Sequence, residues 1–172
     1  MQKLLGCVLI FFASAGTGFL YAADFQRSLD QMIYLQQIIY MLKGEMEYTQ
    51  APLCEMFGRV AVRVKEPYRS WLGRLELETE NRCEKLFSDI WDQCMREELS
   101  ELRLKGEYEN LVRELGTSLG QMDAKTGVGT FTLYLNRMTL EIQKARESLS
   151  SRKRLSSCLG IMGGLFLVII LI

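Results

Sequence analysis

The sequence contains no histidine. This removes every Ser-His-Asp and Cys-His nucleophile arrangement and every imidazole metal ligand. Cysteine is scarce and badly spaced for chemistry. Of five, Cys7 and Cys158 sit in apolar ends of the chain, which leaves Cys54, Cys83 and Cys94 with no CxxC spacing. An odd, dispersed set of thiols argues against a disulfide framework or a thiolate zinc site, so these read as reduced cysteines. Glycine followed by Lys-Ser or Lys-Thr is missing too. In "AKTGVGTF" the lysine precedes the glycines, which excludes a phosphate-binding loop. Basic and acidic residues balance at 21 each, without the basic concentration a nucleic-acid binder needs. The acidic groups Glu76, Glu78, Glu80 and Glu97, Glu98, Glu101 suggest paired carboxylates, but neighbours two apart, Glu76 with Glu78 and Glu78 with Glu80, do not share a helix face. They read as solvated surface. No catalytic, cofactor-binding or metal-binding residue emerges, and the chain is expected not to be an enzyme.

Charge is also absent from the two ends. Leu4 to Ala23 carries none, and 20 residues at about 1.5 Å rise cover about 30 Å, enough to cross a hydrocarbon core. Leu155 to Ile172, "LSSCLGIMGGLFLVIILI", is equally uncharged, and its 18 residues reach about 27 Å. The expected organisation is an N-terminal transmembrane segment over 1–23, a helical domain over 24–154 and a C-terminal transmembrane segment over 155–172. Arg27 follows the first segment, and Arg152, Lys153 and Arg154 abut the second, against Lys3 alone on the opposite side. Basic residues favour the cytoplasmic side, so the middle domain is expected there. The alternative is a cleaved signal peptide, because "LYAAD" offers small residues before Asp24, and the product would be a secreted helical binding protein. "LLGC" at 4–7 lacks the apolar length of a lipoprotein signal.

What is present in the middle is helical periodicity. Met32, Leu35, Ile39, Leu42 and Met46 recur at three and four residues and predict an amphipathic helix over 25–47 that continues the first apolar segment. Proline occurs twice, and both times at a restart. Pro52 opens a helix with Leu53, Phe57, Val60 and Val64 on one face, and Pro67 opens another with Trp71, Leu72 and Leu75. A fourth helix, about 82–96, presents Leu86, Ile90, Trp91 and Cys94. Tyr108, Val112, Leu115, Leu119 and Met122 form the stripe of a fifth. "DAKTGVGT" reads as a turn, after which Phe131, Leu135, Met138, Ile142, Ala145 and Leu149 line the last helix. The fold class is all-α: an antiparallel bundle of about six helices flanked by the two transmembrane helices, with the first and last helices paired as a stalk.

Two glycines interrupt the fifth helix in "LGTSLGQMD", residues 115–123. Each costs roughly 1 kcal/mol against alanine in a helix interior. Gly116 and Gly120 fall on the shoulder of the apolar stripe, which points to close approach of another helix. For Gly120 a helix-ending role is equally open. Tyr48, Pro52, Leu53, Gly116, Gly120 and Asp123 are the candidates for shaping the fold or a partner surface. Tyr48, Leu53 and Trp91 are expected in the core, as large apolar residues at helical spacing usually are.

"KLLG" at 3–6 with "TGF" at 17–19, "GEMEYTQAPL" at 44–53, Trp91, "LGTSLGQMD" and "CLGIMGGLFLVIILI" at 158–172 stand in an order that resembles the stage III sporulation protein AB family over essentially the full chain. The chain departs from the family pattern at "ADFQRSLDQ", where the family is basic, and at Thr49, where it carries glycine. The resemblance implies a helical domain similar to that of the type II secretion F protein. It further implies membership of a membrane channel complex between mother cell and forespore. Its implied partners are a secretion-type ATPase and the other membrane proteins of that complex, with a homo-oligomer left open. No cofactor is implied.

Overall fold

A computed structural model of the chain describes the backbone of residues 2–49, 51–81, 86–102, 104, 106–121 and 127–149, with side chains from residue 24 onward. Six helices form among these residues, and no strand. They are α1 (Gln2–Thr49), α2 (Leu53–Ala61), α3 (Tyr68–Glu80), α4 (Phe87–Glu98), α5 (Gly106–Gly120) and α6 (127–149). The chain divides into two units. One takes Met1–Asp30 and the chain from Gln143 onward, and the other is Gln31–Ile142.

In the first unit, Gln26 donates a hydrogen bond from Nε2 to Asp30 Oδ1 at 3.2 Å, one turn on. Ser28 and Leu29 are buried. Ala145 and Leu149 are half-buried. Among the described residues no helix is long and apolar enough to cross a membrane. The expected membrane segments lie elsewhere: the side chains of 4–23 and all of 155–172 are outside the described residues, as are Met122, Asp123, Arg152, Lys153 and Arg154.

The second unit is built on the periodic stripes. Met32, Leu35, Ile39, Leu42 and Met46 of α1 are all buried, with Ile38 beside them. Pro52 and Pro67 occupy the cap positions of α2 and α3, one residue earlier than expected, and their carbonyls accept the amides of Met56 and Trp71 at 3.1 Å each. A proline costs little there because the missing N–H has no helical partner to lose. Most of the apolar sets of α2, α3 and α5 point inward: Phe57, Val60, Trp71, Leu72, Leu75, Val112 and Leu115 are fully buried, while Leu53 at the start of α2 is half-buried.

Helix α6 returns antiparallel to α1. Gln36 of α1 donates from Nε2 to Thr139 Oγ1 at 2.8 Å and to the Leu135 carbonyl at 3.3 Å, and a Cβ on Gly127 would meet Met46 Sδ. Residue numbers across the pair thus sum to about 173. Two tyrosines fasten other helices to the same α1 backbone: Tyr108 of α5 donates its hydroxyl to the Met32 carbonyl at 2.7 Å, and Tyr68 of α3 donates to the Gln31 carbonyl at 3.4 Å. Burial pushes the Tyr68 phenol up to about 12 and raises Tyr108 as well, the neighbouring tyrosine adding to each, so both remain hydroxyl donors.

Two expectations are corrected. Residues 127–130, assigned to a turn, already belong to α6, because Gly127 lets that helix come against Met46 and tertiary packing outweighs the turn propensity of the glycines. Helix α4 begins at Phe87 rather than near 82. Leu86 caps it in an extended conformation and is 70% exposed, while Phe87 takes the inward position and stacks on Phe57 with centroids 6.1 Å apart.

Candidate functional site: a tryptophan hub and the surfaces it holds

Trp91 is the residue around which α2 to α5 meet. Its indole N–H donates to the Val112 carbonyl of α5 at 3.0 Å. Trp71 meets it edge-on at 5.0 Å between centroids, and Phe87 and Phe57 lie at 6.0 and 6.2 Å. Edge-to-face aromatic pairs at these distances add about 0.5–1.5 kcal/mol each beyond the area they bury. The face of α5 that receives the indole is Gly116. A Cβ built there would fall on Trp91 Cγ, Cδ1 and Cδ2, closer than real Cβ contacts come. The first glycine in "LGTSLGQMD" thus makes room for the Trp91 side chain and not for a second helix backbone. Gly120 is the last residue of α5, and its Cβ would stand 3.1 Å from Phe87. No described glycine has positive φ, so Gly120 ends the helix without a left-handed cap.

Outside the hub, ion pairs link neighbouring helices. Arg74 of α3 reaches Glu97 at 2.5 Å and Glu98 at 3.1 Å on α4. Two adjacent glutamates at a helix end can flank one guanidinium from a neighbouring helix, and that long-range pairing left no local signal. Asp92 of α4 accepts from Arg113 Nε of α5 at 2.6 Å and pairs with Arg96. Burial works to raise the Asp92 carboxyl, but the hydrogen bonds and charges of Arg96 and Arg113 outweigh it and hold the group below its ordinary value. Arg113 also meets Glu109, and Arg137 of α6 meets Glu114. At the α1–α2 elbow, Glu45 is only 11% exposed and faces Arg63 at 3.0 Å and Arg59 at 3.7 Å.

Of the sequence candidates, Trp91 and Gly116 come together, with Gly120 one turn along. Tyr48 does not join them. It is 88% exposed at the end of α1, against the expectation that it lies in the core. The apolar stripe of α1 stops at Met46, and Tyr48 lies beyond it in the last turn of the helix. Pro52 is exposed and Leu53 half-buried, for the same reason of position at the first turn of α2. Arg27 is exposed. An open hollow of about 460 Å³ along α4 is lined by Asp89, Asp92, Gln93, Arg96 and Glu97. Asp92 and Arg96 neutralise each other within it. Among the described residues no group of three or more metal-ligating side chains is gathered. Cys94 is buried and its thiol is pushed up to about 11, chiefly by burial, while Cys54 is half-buried.

The described residues define an all-α bundle protein whose neighbouring helices are linked by aromatic packing and ion pairs. The chain belongs to the stage III sporulation protein AB family, whose model matches residues 3–172. It is 23% identical over 171 residues to the Stage III sporulation protein AB of Bacillus subtilis (strain 168), covering 99% of both chains. Among solved structures it is similar to one of Stage III sporulation protein AB (SpoIIIAB), with a TM-score of 0.63 at 17% identity, covering 72% of this chain and 97% of that one. At that identity the likeness establishes the all-α fold. The family is one of sporulation proteins.

Proposed function

We propose that this protein is a non-enzymatic, membrane-anchored platform of the sporulation channel complex between mother cell and forespore. The helical domain engages a secretion-type ATPase and other membrane proteins of that complex. The observation that carries the reading is the bracketing of a folded helical unit by two charge-free runs, Leu4–Ala23 and Leu155–Ile172. Each run is long enough for a bilayer core. Arg27, Arg152, Lys153 and Arg154 favour a cytoplasmic helical domain in the mother-cell membrane around the forespore. A unit held by aromatic packing and inter-helix ion pairs offers rigid helix faces, which suits docking better than turnover.

The test is purification of the tagged full-length chain from the membrane fraction of sporulating cells. The expected result is membrane recovery together with the ATPase and neighbouring membrane proteins. Recovery in the soluble fraction, or a membrane preparation lacking both kinds of partner, refutes the reading.

A further inference from the structure

The flanks of the two charge-free runs are unlike each other. Residues 24–35, which follow Ala23, hold Arg27 against Asp24 and Asp30, a net charge of −1. Residues 143–154, which precede Leu155, hold Lys144, Arg146, Arg152, Lys153 and Arg154 against Glu147 alone, a net charge of +4. Arg146, near the end of α6, is exposed and makes no ion pair among the described residues. The densest part of the basic flank is in sequence contact with the apolar run, because Arg154 immediately precedes Leu155. Three residues span at most about 11 Å when fully extended, so Arg152 stands within about one Debye length of the run whatever path the backbone takes. Orientation in a membrane does not require this much charge. It needs only an excess over Lys3, which Arg27 and one further basic residue already supply.

We propose that Arg152, Lys153 and Arg154, supported by Arg146, bind the headgroups of anionic phospholipids beside the second apolar run. The inference rests on the membrane anchoring proposed above. Charge selects an anion, and position selects a lipid. If Leu155 enters the hydrocarbon core, the three residues before it lie at headgroup depth, where lipid phosphates are held at high local density. Guanidinium forks pair with two phosphate oxygens at once, and the Lys153 ammonium adds a point charge. A zwitterionic headgroup carries the same phosphate, but its own ammonium cancels the charge. Net headgroup charge is therefore what the cluster distinguishes, as polybasic segments beside membrane spans do. The first run has no such flank, since Arg27 stands between two aspartates in sequence. Anionic lipid is accordingly gathered at the C-terminal anchor and not at the N-terminal one.

The experiment reconstitutes the full-length chain in phosphatidylcholine vesicles. The probes are phosphatidylglycerol and phosphatidylcholine carrying the same spin label on the same acyl carbon. Flotation of the chain with the vesicles is read first, and the fraction of each probe immobilised beside the protein is then read by electron spin resonance. Phosphatidylglycerol is expected to be immobilised about threefold more than phosphatidylcholine at low salt. The preference is expected to vanish at about 1 M salt, where screening contracts to about 3 Å, and in the variant Arg152→Gln, Lys153→Gln, Arg154→Gln. Arg152→Lys with Arg154→Lys keeps the charge and should keep about half of the preference or more. Equal immobilisation of the two probes at low salt overturns the inference, as does a preference that survives either high salt or the three glutamines. The salt comparison uses the parent chain, so it decides the matter even if the glutamine variant fails to insert. If no lipid preference is found and the three glutamines instead release a protein from the membrane fraction of sporulating cells, the cluster belongs to a protein partner and the inference fails. A chain that does not float refutes the anchoring and this inference with it, whereas a chain that floats without preference refutes this inference alone.

Discussion

Replacing Gly116 by alanine adds one methyl group, and the structure says where it goes. The new Cβ overlaps the Trp91 indole, and that ring has no free direction in which to move. It is fully buried, its N–H is committed to Val112, and Trp71, Phe57 and Phe87 surround it. Overpacking of this kind costs about 1–3 kcal/mol. If the ring tilts enough to lose the Val112 bond, a buried donor is left unpaired at a further cost of about 1–3 kcal/mol. The gain in helix propensity returns about 1 kcal/mol. The net expectation is about 2 kcal/mol of destabilisation, a fall in thermal midpoint of roughly 6–10 °C for a domain of this size. Gly73→Ala in α3 is the internal control, because a Cβ there meets nothing within 4 Å. It should gain a few tenths to about 1 kcal/mol from propensity alone. Thermal unfolding of both variants followed by circular dichroism decides the matter. Two midpoints that move together, in either direction, refute the claim that Gly116 exists to admit Trp91.

Other outcomes follow from the same contacts. Gly116→Leu should lower the midpoint well below that of Glu101→Leu, which sits on an exposed turn, and equal midpoints would contradict the packing account. Cys94 should resist a thiol reagent at pH 8 in the folded chain and react once denaturant is added, whereas Cys54 reacts in the folded state; mass spectrometry of the labelled peptides reads both. The folded-state pKa of Asp92 is lowered, so its contribution is complete above the ordinary carboxylate value near 3.8 and is lost as pH falls through the lowered one. Asp92→Asn should therefore reduce the midpoint at pH 7 and converge on the parent chain in strong acid. A deficit that persists at low pH would assign the effect to shape instead of charge.

Most of the helices were legible because burial repeats at the helical period. The stripes from Met32 to Met46 and from Tyr108 to Leu119 are inside as spaced. The two prolines marked both restarts within one residue. Legibility failed where a residue's fate depends on what lies across from it. Tyr48 and Leu86 are large and expected inside, yet each stands at a helix end and is largely exposed. Gly127 and Gly129 carry the local signature of a turn, yet the stretch is helical, with Gly127 packed against Met46. Of the candidate site, Trp91 and Gly116 were each visible separately, but their meeting was not, because it joins residues 25 apart in sequence. The clasp of Arg74 by Glu97 and Glu98 was hidden for the same reason.

The adjacency of Trp71 and Trp91 also determines what light can report. They are the only two tryptophans in the chain, and their rings are 5.0 Å apart. All indole emission therefore originates from one locus, where α3, α4 and α5 converge. Fluorescence will register any loosening of that convergence early and strongly. It will be nearly blind to events on the outward sides of α1 and α6, which carry no tryptophan, so an unchanged spectrum there reports only that the hub is undisturbed.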